Sequence, residues 1–105
     1  MKGRDIHIGS LIRKEIISLD PKAQVILFGS RARGDSKADS DWDILVLTDS
    51  NDVFLAEESF RDKLFDLEIE TGEIFSLFVY NKKDWNTRHK ITPLYMNIKK
   101  EGVRL

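Results

Sequence analysis

Apolar residues recur at steps of three and four along two stretches of the chain. In residues 6–19 they are Ile8, Leu11, Ile12, Ile16 and Leu19. In residues 53–67 they are Val53, Ala56, Phe60, Leu64 and Leu67. This spacing predicts two amphipathic helices, each with one apolar face. The first should end at Asp20 and Pro21, because proline cannot continue the helical hydrogen-bond ladder and keeps the preceding residue out of the α region.

Three shorter runs are rich in β-branched and aromatic residues and predict strands at residues 24–28, 42–48 and 74–80. A helical turn at residues 85–89, capped by Asp84, should follow. Thr92 and Pro93 then have the cap and first-turn chemistry of a last helix that stops at Gly102. Residues 103–105 are a candidate fourth strand. We therefore expect an α/β (α+β) fold, with a small mixed sheet of three or four strands and helices packed mainly on one face.

Length and composition narrow the class of protein. A chain of 105 residues, 41% hydrophobic and 33% charged, is typical of one soluble domain, and we expect that domain to span residues 1–105. No apolar run is long enough to cross a membrane and no signal peptide is evident, so we expect a cytoplasmic protein. The absence of cysteine excludes disulfides and thiolate sites. A formal charge of −1 does not indicate a long nucleic acid partner.

The candidate chemistry lies between the first two predicted strands. Gly29 and Ser30 follow the first strand directly, where a glycine turn lets backbone N–H groups approach a phosphate closely. Asp41 and Asp43 open the second strand, and their i, i+2 spacing places both carboxylates on one face. Such a pair is costly without a hard cation, and Mg²⁺ is usually shared between carboxylates and substrate phosphates. These residues predict a site for a metal and a nucleotide.

With its strands before and after, the pattern G-S-x-A-R-G…S-D-x-D resembles the signature of the nucleotidyltransferase superfamily related to DNA polymerase beta, in its minimal, single-domain form. The resemblance implies transfer of a nucleoside monophosphate from a nucleoside triphosphate, most simply ATP, to a hydroxyl group. It implies that Asp41 and Asp43 are catalytic and hold two Mg²⁺ ions. It further implies that Gly29, Ser30, Arg33 and Ser40 bind the nucleotide.

The chain departs from that family at one position. Active members carry a third carboxylate on the following strand, and Ser76 aligns with it here. Serine is a poor Mg²⁺ ligand and not a base without help, so Glu68, Glu70 or Glu73 would have to substitute. An alternative function is therefore a weak or inactive module that binds a nucleotide or a partner.

Two further questions stay open at this level. Arg31 and Arg33 are suited to contact phosphate, but pairing with Asp35 or Asp39 explains them equally well. Short members of the family often act beside a separate helical partner protein, in some cases as toxin and antitoxin, and a homo-oligomer is the simpler alternative.

Overall fold

The computed structural model describes residues 3–105 and contains one mixed sheet of four strands in the order β3-β2-β1-β4. The strands are β1 (Gln24–Phe28), β2 (Trp42–Thr48), β3 (Phe75–Asn81) and β4 (Val103–Arg104). Strand β1 is antiparallel to β2 and to β4, while β2 and β3 run parallel. Each of the three longer strands lies within one residue of its predicted range, and the short fourth strand forms at the terminal run.

The helices alternate with these strands. They are α1 (Gly3–Leu19), α2 (Ser30–Arg33), α3 (Val53–Thr71), α4 (Lys82–Thr87), a 3₁₀ turn (Arg88–Ile91) and α5 (Pro93–Glu101). As the sequence predicts, the Thr92 hydroxyl accepts a hydrogen bond from the Tyr95 N–H and caps α5. The α/β class with a small mixed sheet is thereby confirmed.

The long helices α1 and α3 pack on one face of the sheet. Trp42, Ile44 and Val46 point to this face from β2 and are fully buried against them. Leu45 and Leu47 point to the opposite face, where they meet Trp85 of α4 and Ile98 of α5. The main helical layer is thus on one side, as expected, and shorter helices cover the other. This second cover explains why β2 is apolar on both faces beyond its first residues.

The helical turn expected at residues 85–89 begins earlier than predicted. Asn81, not Asp84, is its cap, because the Asn81 side chain accepts hydrogen bonds from the N–H groups of Lys83 and Asp84. Asp84 instead lies in the first turn, where a negative charge interacts favourably with the helix dipole. Asn81 and Asp84 are both suitable cap residues by type. Asn81 takes the role because β3 continues to Asn81 and the helix starts at the next residue.

One end of the sheet gathers the polar residues. There β1 ends at Phe28, which pairs with Asp43 near the start of β2, and Asp43 pairs in turn with Ser76 near the start of β3. The carboxyl end of α5 reaches the same end, because Val103 pairs with Leu27 immediately after it. In the described residues no helix is both long enough and apolar enough to span a membrane.

The junction of α5 and β4 gives a test of the fold. A Cβ on Gly102 would lie 2.5 Å from the Ile98 carbonyl oxygen and 2.9 Å from the Ile26 Cγ2. We expect Gly102→Ala to lower the free energy of unfolding by about 1–3 kcal/mol, since the backbone must shift to relieve the overlap. Thermal and urea melts measure this loss. Gly3→Ala is the matched control, because its Cβ would meet nothing within 4 Å.

Candidate active site

The centre of the candidate site is a close contact between Gly29 and Asp43. Gly29 follows β1 with φ of 76°, a left-handed conformation that L side chains rarely adopt. A Cβ at Gly29 would lie only 2.2 Å from the Asp43 Oδ2. The aspartate therefore lies directly on the backbone of the turn. Only glycine permits both the turn and this approach.

Asp41 and Ser76 lie beside this contact. The parallel register sets Ser76 opposite Asp43, and the Ser76 hydroxyl donates a long hydrogen bond of 3.5 Å to the Asp41 Oδ2. Both aspartates and Ser76 are thus brought to one end of the sheet together with Gly29. Ser76 is the residue of β3 that faces the aspartate pair.

The electrostatics of Asp43 show that the two carboxylates repel each other. Burial raises the pKa of Asp43 above its ordinary value, and the negative charge of Asp41 raises it further, while Arg33 acts in the opposite direction. Both effects disfavour the ionised carboxylate in the folded protein. A bound divalent cation would relieve the repulsion.

The donor set fits a magnesium ion, although the residues alone do not complete its coordination. Two carboxylate groups and a hydroxyl are oxygen donors, and Mg²⁺ typically binds one or two carboxylates and takes its other ligands from water and phosphates. Within residues 3–105 no three His, Cys, Asp or Glu side chains cluster closely enough to hold a metal. The arrangement therefore suits a metal that arrives with a phosphorylated ligand.

Arg31 has a structural role, because its side chain is bound by other residues of the chain and does not point into the site. Its guanidinium is buried and forms ion pairs with Glu73 at 3.4 Å and with Asp5 at 3.6 Å. Its Nη2 also donates to the carbonyl oxygens of Ala38 and Ser40. These contacts fix the loop that leads into Asp41.

Glu73 completes this buried network and is therefore not available to the aspartates. It accepts hydrogen bonds from Arg31, from Arg4 and from the Trp42 Nε1. The Arg31 guanidinium also lies 5.2 Å from the centre of the Trp42 ring, in a cation–π arrangement. Arg31, Glu73 and Trp42 thus stabilise one another beneath the loop.

The other glutamates considered from the sequence do not join the site. The Glu68 carboxylate accepts from the Phe75 N–H and so caps the start of β3. Glu70 is exposed in the last turn of α3 and forms no acidic triad with Asp41 and Asp43 in the described chain. Position 76 itself therefore remains without a carboxylate.

The predicted nucleotide residues are placed in different ways. Ser30 begins α2 directly after Gly29. The Ser40 hydroxyl accepts from the Lys37 N–H, so it shapes the loop. Arg33 is half-exposed and pairs with Asp35 at 3.2 Å, the structural pairing that the sequence left open.

Glu101 was not predicted from the sequence and belongs to this site. Its Oε1 accepts a hydrogen bond of 3.2 Å from the Gly29 N–H, and both its oxygens accept from the Arg33 Nη1. The hydrogen bond from Arg33 to Asp35 raises the pKa of the guanidinium, and the hydrogen bond to Glu101 raises it further. No local pattern marks Glu101, which lies 72 residues from Gly29 in the chain.

The fold and the paired aspartates define a small α/β domain with an acidic site at one end of its sheet. Residues 10–104 match the family model described as nucleotidyltransferase domain, so the chain belongs to that family. Comparison with curated proteins gives no match.

Two solved structures share the fold. One is a crystal structure of a toxin-antitoxin with AMP-PNP, with a TM-score of 0.67 and 22% identity over 91% of this chain and 70% of that chain. The other is a protein from Sulfolobus solfataricus whose assignment as a nucleotidyltransferase is provisional, with a TM-score of 0.59 and 22% identity over 95% of this chain and 80% of that chain.

The repulsion between the aspartates predicts that the metal-free protein gains stability when one charge is removed. We expect Asp43→Asn to raise the free energy of unfolding at neutral pH, by less than about 1 kcal/mol because solvent screens partly exposed charges. In the unmutated protein the raised pKa means that the folded state binds the proton more tightly. The ionised Asp43 therefore lowers the free energy of unfolding by its full amount above the raised pKa. This loss shrinks as pH falls through that pKa, and it disappears below the ordinary aspartate pKa of about 4.

Thermal melts from about pH 3 to about pH 8 measure this effect, because the range extends to both sides of the ordinary carboxyl pKa of about 4. Mg²⁺ should narrow the difference between the two proteins, since it binds the folded form that keeps both charges. Asp39→Asn, in the loop before Asp41 and exposed, is the control and should change little. A lower stability of Asp43→Asn at neutral pH without metal would contradict the electrostatic reading.

Proposed function

We propose that this chain transfers a nucleoside monophosphate from a nucleoside triphosphate, ATP in the simplest case, to a hydroxyl acceptor in a Mg²⁺-dependent reaction. The observation that carries the proposal is the meeting of Asp41, Asp43 and the Gly29 turn at one end of the sheet. Membership of the nucleotidyltransferase family supports the reaction class. The similar toxin-antitoxin structure contains AMP-PNP, an ATP analogue, which supports a nucleotide ligand.

In this proposal the Gly29 turn and Ser30 bind the phosphates. The missing Cβ of Gly29 gives room to the Asp43 carboxylate, so that metal and phosphates would meet at the turn, and Arg33 supplies positive charge beside it. Asp41 and Asp43 hold the metal. Arg31 positions the loop before Asp41 through the carbonyl oxygens of Ala38 and Ser40, without contacting the substrate.

The reaction exchanges one bond at phosphorus and releases one proton. The acceptor oxygen attacks the α-phosphorus while its hydroxyl proton passes to water, the bond from that phosphorus to the oxygen that bridges it to the β-phosphate breaks, and pyrophosphate leaves. Mg²⁺ held by Asp41 and Asp43 would stabilise the charge on the transferring group and would make the acceptor hydroxyl more acidic. The residues of the chain hold the triphosphate in line with the acceptor, which is the larger part of catalysis in phosphoryl transfer.

Ser76 makes the removal of the acceptor proton the weak point of the site. A serine hydroxyl is not a base at neutral pH, and its contact with Asp41 is long. We infer that the unmodified protein turns over slowly and depends on a well-positioned acceptor. Because one similar structure is of a toxin-antitoxin, a partner protein is the first acceptor to test.

Label transfer tests the proposal directly. The protein is incubated with α-labelled ATP, Mg²⁺ and lysate of its source, and labelled products are separated by gel and chromatography. We expect transfer to a protein, an RNA end or a small molecule, with a loss of at least about a hundredfold in Asp43→Asn, because the metal then lacks one of its two carboxylates.

Asp39→Asn serves as the matched control and should keep its activity. Binding of ATP with Mg²⁺ but no transfer above the Asp43→Asn background, across all four nucleotides, would support the alternative of a binding module. The absence of both binding and transfer would overturn the proposal.

Ser76→Asp tests whether a third carboxylate is what this site lacks. The new side chain would point toward Asp41, so it should tighten Mg²⁺ binding and raise the transfer rate by about tenfold or more. Without metal it should lower the melting temperature, since a third negative charge joins the pair. Ser76→Asn introduces a side chain of nearly the same size as aspartate but without the charge. It should neither speed transfer nor lower the melting temperature in this way. Faster transfer in Ser76→Asn would show that charge at this position is not the limiting factor.

A further inference from the structure

The carboxylate of Glu101 accepts hydrogen bonds from the same donors that the proposed function assigns to phosphate, the Gly29 N–H and the Arg33 guanidinium. Its Oε1 lies 3.2 Å from the Gly29 nitrogen, and its two oxygens lie 3.3 and 3.2 Å from the Arg33 Nη1. A carboxylate and a phosphate oxygen accept the same hydrogen bonds from a backbone N–H and a guanidinium. The side chain of Glu101 therefore acts as an internal anion in the phosphate position.

Glu101 is held in this place by the fold. It is the last residue of α5, and the next residue, Gly102, packs against Ile98 and Ile26. Strand β4 then pairs with β1 directly before the Gly29 turn. The Glu101 side chain is only 24% exposed, whereas the Asp35 side chain, which also pairs with Arg33, is 61% exposed. Two packed elements thus place Glu101 beside the turn, and its contact with the Gly29 N–H is partly buried, whereas its contact with Arg33 is exposed.

The charges around the site oppose a free phosphate. Asp41, Asp43 and Glu101 contribute three carboxylates, whereas Arg33 is the cation beside the turn and is shared with Asp35. A metal-free triphosphate would have to expel Glu101 while approaching two further negative charges. A triphosphate that carries a divalent cation meets the aspartates as ligands instead.

We propose that Glu101 is a specificity-determining residue of the nucleotide site: its carboxylate fills the phosphate position of the Gly29 turn and yields it to a metal–triphosphate complex but not to a metal-free anion. The inference rests on the proposed function for the identity of the triphosphate. It adds a residue of α5 to the site and makes nucleotide binding conditional on the cation. When the complex binds, the Glu101 carboxylate leaves Gly29 and Arg33 together.

Calorimetry with inorganic tripolyphosphate and with ATP, each with Mg²⁺ or with a chelator, tests this directly at low ionic strength. The unmutated protein should bind ATP with Mg²⁺ and bind metal-free tripolyphosphate only weakly. Glu101→Gln keeps the length of the side chain and an oxygen for the Gly29 N–H but removes one charge. We expect it to bind metal-free tripolyphosphate about tenfold more tightly than the unmutated protein.

Asp35→Asn is the matched control. It also removes a charge from beside Arg33, but Asp35 contacts only the Nε of Arg33 and not the Gly29 N–H. Its gain in tripolyphosphate affinity should stay below about twofold, because an exposed pair is weakly coupled. Equal gains in the two variants, or no gain in Glu101→Gln, would overturn the inference.

Failure of the inference and of the proposed function are distinguishable. If the unmutated protein does not bind ATP with Mg²⁺ while Glu101→Gln binds tripolyphosphate more tightly, the nucleotide proposal fails and only the exclusion of metal-free anions by Glu101 stands. NMR of the unmutated protein decides the case in which Glu101→Gln does not fold. There the Glu101 carboxyl carbon and the Gly29 amide should shift together on addition of ATP with Mg²⁺, and an unmoved Glu101 signal in the bound protein contradicts displacement.

Discussion

The approach of the Asp43 carboxylate to the backbone of Gly29 is the constraint on which the site depends. It requires β1 to end in a turn with positive φ and requires β2 to start directly beside that turn, which the antiparallel register of the two strands provides. A side chain of any other residue type would overlap the carboxylate, at 2.2 Å for the first carbon alone. The aspartate pair and the Gly29 turn are thereby joined through one close contact.

A buried ion-pair network supports that contact from below. Arg31 is one residue past Ser30, yet its side chain turns inward to Glu73 and Trp42. A buried guanidinium is costly unless all of its donors are used, and here carboxylates and loop carbonyls use them. In the described residues no buried side-chain nitrogen or oxygen lacks a hydrogen-bond partner. The loop that carries Ser40 and Asp41 consequently has a fixed path without being part of a strand.

The distribution of acids explains the chemistry that the site can support. Two aspartates face Ser76 on β3, and a third acid, Glu101, enters from α5 on the side of the Gly29 turn. The third carboxylate is therefore beside the Gly29 turn and not on β3. Under the proposed function, the residues assigned to nucleotide binding therefore lie apart from the position on β3, where no carboxylate or imidazole faces the aspartates to remove the acceptor proton.

The sequence by itself determined the strands, the two long helices and the grouping of Gly29, Ser30, Asp41 and Asp43, because each depends on periodicity or on residues close in the chain. The tertiary structure decided what depends on distant contacts. The cap of α4 is Asn81 and not Asp84, because β3 extends to Asn81 and the helix begins directly after it. Glu73 forms a buried ion pair with Arg31, which lies 42 residues away in the chain, and Glu101 contacts the Gly29 turn, which lies 72 residues away. Neither pairing leaves a local pattern, since charge alone does not specify which arginine a glutamate meets.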